Sequence, residues 1–182
     1  MGAGGADEMS LGNPAAPVTV IEYASLGCSH CAAWAQDVFP EFKRRYIDSR
    51  RVRFVLREML TGDSAVAAAG FLTARCAGPA RYFQVVEDLF DAQPRMQRDG
   101  DDMPSLLDAA ARAGLSRDQV SACLSNHAAL TALEGRADTY AQRDHVTGTP
   151  AFDVAGRRFP GETSLATLAA AIDDAQSRRR RP

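Results

Sequence analysis

Pro17-Val18-Thr19-Val20-Ile21-Glu22-Tyr23-Ala24-Ser25-Leu26-Gly27-Cys28-Ser29-His30-Cys31 is the segment whose reading decides the fold. Its first half is rich in β-branched residues and apolar on both faces, the pattern of a buried parallel strand. A helix is expected directly after it, from about Ser29 to Tyr46. Trp34, Val38, Phe39, Phe42 and Tyr46 recur there at helical spacing. Pro40 falls inside that span and predicts a kink. Arg51-Val52-Arg53-Phe54-Val55-Leu56-Arg57-Glu58 reads as a second strand. Together these make a βαβ unit with a right-handed crossover.

Further along, the pattern is helical from about Asp63 to His145. Ala65–Cys76 stops at Gly78-Pro79. Arg81–Ala92 carries Tyr82, Phe83, Val86, Leu89 and Phe90 on one face. Pro104–Ala113 begins with proline and ends at Gly114. Ser116 caps a short helix reaching Leu124, with Asp118 and Gln119 in its first turn. Ala128–Arg143 is longer and more polar. After Gly148 strands return: Thr149–Val154 and Arg157–Phe159 flank Ala155-Gly156, a hairpin signal. Ser164–Ala175 reads as a final amphipathic helix, N-capped by Thr163 or Ser164.

A chain of 182 residues with 46% hydrophobic and 24% charged residues has the composition of one globular domain, with or without a large insertion. A formal net charge of −2 argues against a general nucleic-acid footprint. The basic run Arg178–Arg181 reads as a disordered, solvated tail. No apolar run approaches a membrane span. Residues 1–6 show neither a basic n-region nor an apolar h-region, so no signal peptide is visible.

The chemistry concentrates at Cys28-Ser29-His30-Cys31, where the strand gives way to the helix. Amide N–H groups and the helix dipole favour negative charge at that spot, so a thiolate on Cys28 is stabilised. A protonated His30 adds to this. The spacing puts Cys31 on the same helix face, close enough to form a disulfide. Stabilising the thiolate stabilises the reduced protein, which makes the disulfide a stronger oxidant. Redox catalysis is the leading reading, because C-x-x-C beside a βαβ pattern is its signature. A zinc site built on C-x-x-C and histidine is the second, although Cys76, Cys123, His127 and His145 are scattered. A purely structural disulfide is the third. No metal is expected. Glu22 sits mid-strand among apolar residues: either buried with a raised pKa and a role in proton transfer, or solvent-facing on an edge strand. Trp34 reads as core, and His127 and His145 as surface or capping residues.

Residues 21–31 resemble the active-site segment of DsbA-type proteins of the thioredoxin superfamily. Val146-Thr147-Gly148-Thr149-Pro150 is similar to that family's second hallmark, the loop before its cis-proline. The resemblance extends from about Val18 to Ala175. It implies an α/β thioredoxin fold with an inserted helical domain. The expected organisation is an N-terminal extension (1–16), a thioredoxin-like domain (17–60 and 146–176), a helical insertion (61–145) and the basic tail (177–182).

The resemblance also implies roles. Cys28 is the exposed nucleophile, Cys31 its buried partner, and Glu22 the acid that moves protons to and from the inner thiol. Thr149 and Pro150 form a cis bond beside the disulfide, and with Ser29 they meet the substrate peptide, Thr149 pairing as an added strand would. An ordinary trans proline is the alternative at Pro150. Ser29 stands where many DsbA relatives have proline, and residues between the cysteines tune the redox poise. A second disulfide in some relatives implies a structural Cys76–Cys123 bond, with buried free thiols as the alternative. The expected activity is dithiol oxidation of unfolded or reduced secreted proteins in the periplasm. Reoxidation falls to a DsbB-like membrane quinone reductase. No soluble cofactor is expected, and the chain is expected to be a monomer. Low cysteine pKa and strong oxidising power are known of that family, not read from these residues. A reductase or isomerase of the same fold is the alternative, as is a zinc- or peptide-binding module.

Overall fold

The computed structural model describes residues 8–180. Strand β2 (Val18–Ala24) leads into helix α1 (Ser29–Asp37) and the short helix α2 (Phe39–Phe42), then a π-helical turn over Lys43–Ile47. Strand β3 (Val52–Glu58) follows and pairs parallel with β2, as the βαβ pattern requires. Five helices come next: α3 (Ser64–Cys76), α4 (Tyr82–Asp99), α5 (Met103–Arg112), α6 (Arg117–Leu124) and α7 (His127–Arg143). The chain returns as the hairpin β4 (Ala151–Val154) and β5 (Arg157–Pro160) and ends in α8 (Leu165–Arg180). The sheet order is β1-β3-β2-β4-β5, with β1 spanning Met9–Leu11. The architecture is α/β, with the helical block inserted between β3 and β4.

Side-chain alternation sorts the sheet into two faces. Val20 and Glu22 pair with Phe54 and Leu56 on one side and with Val154 and Phe152 on the other, so all six share a face. Against that face lie the aromatics of α1 and α2. The Trp34 and Phe152 ring centres are 4.6 Å apart, and those of Phe39 and Phe54 5.2 Å. Trp34 is core, as expected: it is buried, and its indole N–H donates to the Thr163 carbonyl at 2.9 Å. At the hairpin tip Ala155 and Gly156 both have positive φ, 52° and 90°, the conformation that matches the twist of two antiparallel strands.

Three boundaries differ from the sequence reading. The helix expected over Ser29–Tyr46 breaks at Val38, and Pro40 stands in the first turn of α2. Proline removes one backbone donor and clashes one turn upstream, so the chain restarts the helix. Helix α4 runs past Ala92 through Pro94 to Asp99, where Gly100 closes it at φ 67°. Its extra turns bury Gln93, whose amide donates to the Leu26 carbonyl at 2.7 Å, and Met96. Finally, Arg178, Arg179 and Arg180 continue α8 instead of forming a loose tail, and Arg179 donates to the Pro17 carbonyl. Arg181 lies outside the described residues, as do residues 1–7 of the expected N-terminal extension. Within that extension Met9–Leu11 forms the edge strand β1, antiparallel to β3. Glu8 beside it bonds Arg57 of β3 at 2.7 Å.

Two covalent or ionic ties hold the helical block. Cys76 at the end of α3 and Cys123 in α6 form a disulfide. Cys76 is exposed and Cys123 partly so, which removes the buried-thiol alternative. Glu58, at the end of β3, is fully buried. Its carboxylate accepts from Arg75 of α3 at 2.7 Å, Arg136 of α7 at 3.1 Å and the Tyr82 hydroxyl of α4 at 3.0 Å. Ser116 caps α6 through the expected capping box with Gln119.

Removing one partner of a buried ion cluster leaves the others uncompensated. Glu58→Gln is therefore expected to lower stability by about 3–5 kcal/mol, read as a lower urea midpoint at unchanged m-value. The double substitution Cys76→Ala/Cys123→Ala is expected to cost about 2–4 kcal/mol, mainly by freeing the unfolded chain. In that variant, exchange at Cys28 and Cys31 should be unchanged. A calorimetric melt and a thiol-exchange assay check the two halves of this expectation.

Candidate active site

The site forms where β2 ends. Ser25, Leu26 and Gly27 turn the chain, and the Cys28 N–H donates to the Ser25 carbonyl at 3.1 Å. Cys28 is the N-cap residue of α1, with extended φ −107° and ψ 117°. No side-chain oxygen caps this helix. Instead the backbone N–H groups of Cys31 and His30 face the N-cap residue and favour a negative charge on its sulfur. The turn depends on a close backbone approach. A side chain on Gly27 would meet the Asp63 carbonyl oxygen at 2.1 Å, and one on Gly62 (φ +69°) would meet the Gly27 carbonyl oxygen at 2.1 Å. Only glycine fits at either place.

The two thiols occupy opposite electrostatic settings. The Cys28 pKa is lowered from 9.0 to about 5. The main cause is a hydrogen bond from the Cys31 thiol. Burial opposes it, and the Thr149 hydroxyl and the two amides add to it. Cys31 moves the other way. Burial raises its pKa far above the ordinary thiol range, reinforced by its bond to Cys28 and by the Glu22 charge. At neutral pH one sulfur is an anion and the other its neutral donor. Cys28 keeps 8% of its surface and Cys31 none. The nucleophile expected to be exposed is thus nearly buried, yet it remains the accessible member of the pair.

Glu22 lies beneath them on the central strand, flanked by β3 and β4, which removes the edge-strand alternative. It is 3% exposed, and Oε1 has no hydrogen-bond partner among the described residues. Burial, followed by the Cys28 charge, raises its pKa from 4.5 to about 8. The other wall is the loop before β4, where the Thr149–Pro150 bond is cis and Pro150 is buried. The Cys28 sulfur lies 3.4 Å from the Thr149 carbonyl oxygen, which accepts from it when the thiol is protonated. Ser29 is exposed at the first position of α1.

The structure corrects the reading of His30. Its imidazole turns to Glu162, with Nδ1 2.5 Å from Oε1, and both side chains are exposed. What His30 supplies to Cys28 is its backbone N–H. An exposed carboxylate within reach competes for the imidazole, and nothing in the sequence linked position 162 to position 30. Ser25, Gly27, Thr61 and Gly62 also went unread. A topological signal pointed to them: parallel neighbours β2 and β3 end at the same edge of the sheet, so the loop after β3 must lie beside the loop carrying Cys28. His127 opens α7 and His145 precedes the Thr149 loop, both exposed.

A family model described as Thioredoxin matches residues 5–174. A protein of Rickettsia conorii named as a protein-disulfide oxidoreductase is 32% identical over 170 residues, 93% of this chain and 60% of that protein. The chain thus spans about 60% of the length of that relative. Among solved structures, Wolbachia pipientis alpha-DsbA1 superposes with a TM-score of 0.86 at 22% identity, covering 95% of this chain and 92% of that one. Oxidised BdbD from Bacillus subtilis gives 0.83 at 20% identity, covering 93% of each chain. At that identity the two likenesses are likenesses of fold.

The Glu22 setting predicts a pH dependence. Its folded pKa lies above the unfolded value, so between pH 4.5 and about 8 the folded chain holds a proton that the unfolded chain releases. The folded state therefore loses stability as pH rises through that window. Glu22→Gln removes the effect. At pH 8 the variant is expected to exceed the parent in stability by on the order of 3–5 kcal/mol, with the two nearly equal near pH 4.5. Denaturant titrations of the reduced proteins at the two pH values check this, and an equal difference at both would refute it.

Proposed function

Because the chain belongs to the thioredoxin family, we propose that it is a thiol–disulfide oxidoreductase working as a dithiol oxidase through Cys28 and Cys31. One observation carries the reading: the two sulfurs are pushed in opposite directions, Cys28 down to about 5 and buried Cys31 above the ordinary thiol range. A sulfur that prefers to be an anion stabilises the reduced enzyme, so its disulfide tends to take electrons.

The reaction begins with attack of a substrate thiolate on the Cys28 sulfur of the Cys28–Cys31 disulfide. The S–S bond breaks, Cys31 leaves as thiolate, and a mixed disulfide forms between substrate and Cys28. Cys31 is a poor leaving group, and Glu22, protonated below about pH 8, is the acid that delivers its proton. A second substrate thiolate then attacks the substrate sulfur and expels Cys28 as its stable thiolate. Two electrons pass to the enzyme and the substrate gains a disulfide. The Thr149 backbone, with Pro150 and Ser29 beside it, aligns the substrate as an added extended strand.

Reduced polypeptides in an oxidising compartment, the periplasm, are the substrates this chemistry suits. Exposed and partly exposed Cys76 and Cys123 joined as a disulfide agree with such a compartment. A membrane quinone reductase of the DsbB type would restore the disulfide, and the protein would act as a monomer.

Equilibration of the protein against glutathione buffers tests the direction. The expected potential lies above about −200 mV, well clear of the roughly −270 mV of thioredoxin. Alkylation of Cys28 should titrate with a midpoint near pH 5. A thioredoxin-like potential with an ordinary thiol pKa would leave an oxidoreductase but remove the oxidase assignment. Stoichiometric zinc on the reduced protein would overturn the redox reading itself.

A further inference from the structure

Thr61 and Thr149 form a pair of hydroxyls beside the Cys28 sulfur. Thr61 Oγ1 lies 2.6 Å from the Oγ1 of Thr149. Thr149 in turn flanks Cys28: its carbonyl oxygen lies 3.4 Å from the Cys28 sulfur, and its side chain favours the Cys28 anion. Ser25 fixes Thr61 from below: its fully buried hydroxyl donates to the Thr61 carbonyl at 2.7 Å and accepts from the Thr61 N–H at 3.3 Å. The Gly27 N–H donates to the same hydroxyl at 3.2 Å. The loop after β3 is thereby clamped to the loop that carries the cysteines.

Counting hydrogens gives this pair a direction. Thr149 Oγ1 has one proton and two neighbours that could take it, Thr61 Oγ1 and the Cys28 sulfur. When Cys28 is a thiolate the charged acceptor wins, because hydrogen bonds to ions are about twice as strong as neutral ones. The Thr61–Thr149 bond must then run from Thr61 to Thr149. A hydroxyl that accepts one hydrogen bond donates a stronger one, so each link polarises the next.

We propose that Thr61 is a positioning residue for thiol–disulfide exchange: its hydroxyl donates to Thr149 Oγ1 and so commits the Thr149 proton to the Cys28 sulfur. The inference rests on the reading of Cys28 as the redox nucleophile. Thr61 touches neither sulfur nor substrate in this role. It acts through Thr149, from the loop after β3.

The test uses Thr61→Val, which keeps the shape and deletes the proton, with Thr61→Ser, Thr149→Val and the Thr61→Val/Thr149→Val pair. Thiolate absorbance against pH gives the acidity of Cys28, and glutathione equilibration gives the exchange constant. Thr61→Val is expected to lower the acidity constant of Cys28 roughly three- to tenfold and to weaken the exchange constant in the same sense. Thr61→Ser should restore both to within about twofold of the parent. The double variant should match Thr149→Val alone, since the relay has no target once Thr149 is gone.

Parent-like acidity in Thr61→Val, or losses in the two single variants that multiply in the double, would overturn the proposal. Thr61→Ala gives a second proton deletion should the valine variant not fold, as judged by circular dichroism. If the parent fails to exchange with glutathione while Thr61→Val still shifts the acidity of Cys28, the oxidase reading falls and the relay stands.

Discussion

The first turn of α1 favours an anion on the Cys28 sulfur, and the rest of the site follows from that setting. A helix start supplies unsatisfied N–H groups wherever it occurs. Here the extended N-cap residue carries a thiol where a hydroxyl or carboxylate is the usual cap. For this to work the chain must leave β2 and reach the helix in three residues, Ser25, Leu26 and Gly27. That is possible because Gly27 and Gly62 let two backbones nearly touch. A small steric allowance thus sets an electrostatic outcome.

The sheet acts as a jig for the remaining groups. Parallel pairing of β2 and β3 delivers the Ser25–Cys28 and Thr61–Asp63 segments to one edge. Antiparallel pairing of β2 with β4 delivers Thr149 and Pro150 to the same edge from the far end of the sequence. The helical block between them closes on this frame through Glu58, which gathers Arg75, Tyr82 and Arg136 from three different helices. Helix α4 adds a direct tie through Gln93 to the Leu26 carbonyl, inside the turn that precedes the cysteines. Within the block it is α4, through Gln93, that touches the turn carrying the site, while the Cys76–Cys123 bond joins α3 to α6.

What could be read from sequence was what local chemistry determines. The βαβ opening, the capping box at Ser116, the hairpin at Ala155-Gly156 and the C-x-x-C at a helix start all follow from neighbouring residues. Glu22 was legible as well, because a lone acid in an apolar strand points to burial. The misread features depend on partners distant in the sequence. The Met9–Leu11 strand exists because β3 offers a free edge and Arg57 holds Glu8. The arginines of α8 stay helical with Arg179 bonded to the Pro17 carbonyl. His30 turns outward because Glu162 waits 132 residues away. Thr61 showed no signal of its own, since a threonine between strand and glycine suits any loop.

Two buried carboxylates show how the molecule divides stability from chemistry. Glu22 and Glu58 share one face of the sheet, since Glu22 pairs with Leu56 and Ala24 with Glu58 in the same register. Both are almost inaccessible. Glu58 meets two guanidinium groups and a phenol, so its charge is balanced and it binds elements together. Among the described residues Glu22 meets no cation and leaves one oxygen without a partner, so it is a carboxylic acid over most of the neutral range. An arginine beside Glu22 would hold it as a carboxylate and abolish the acid. The unpaired carboxyl is a thermodynamic burden at one position, while the ion cluster two residues further along the sheet joins three helices to the strand. A proton held beside a sulfur that must leave is what that arrangement makes available.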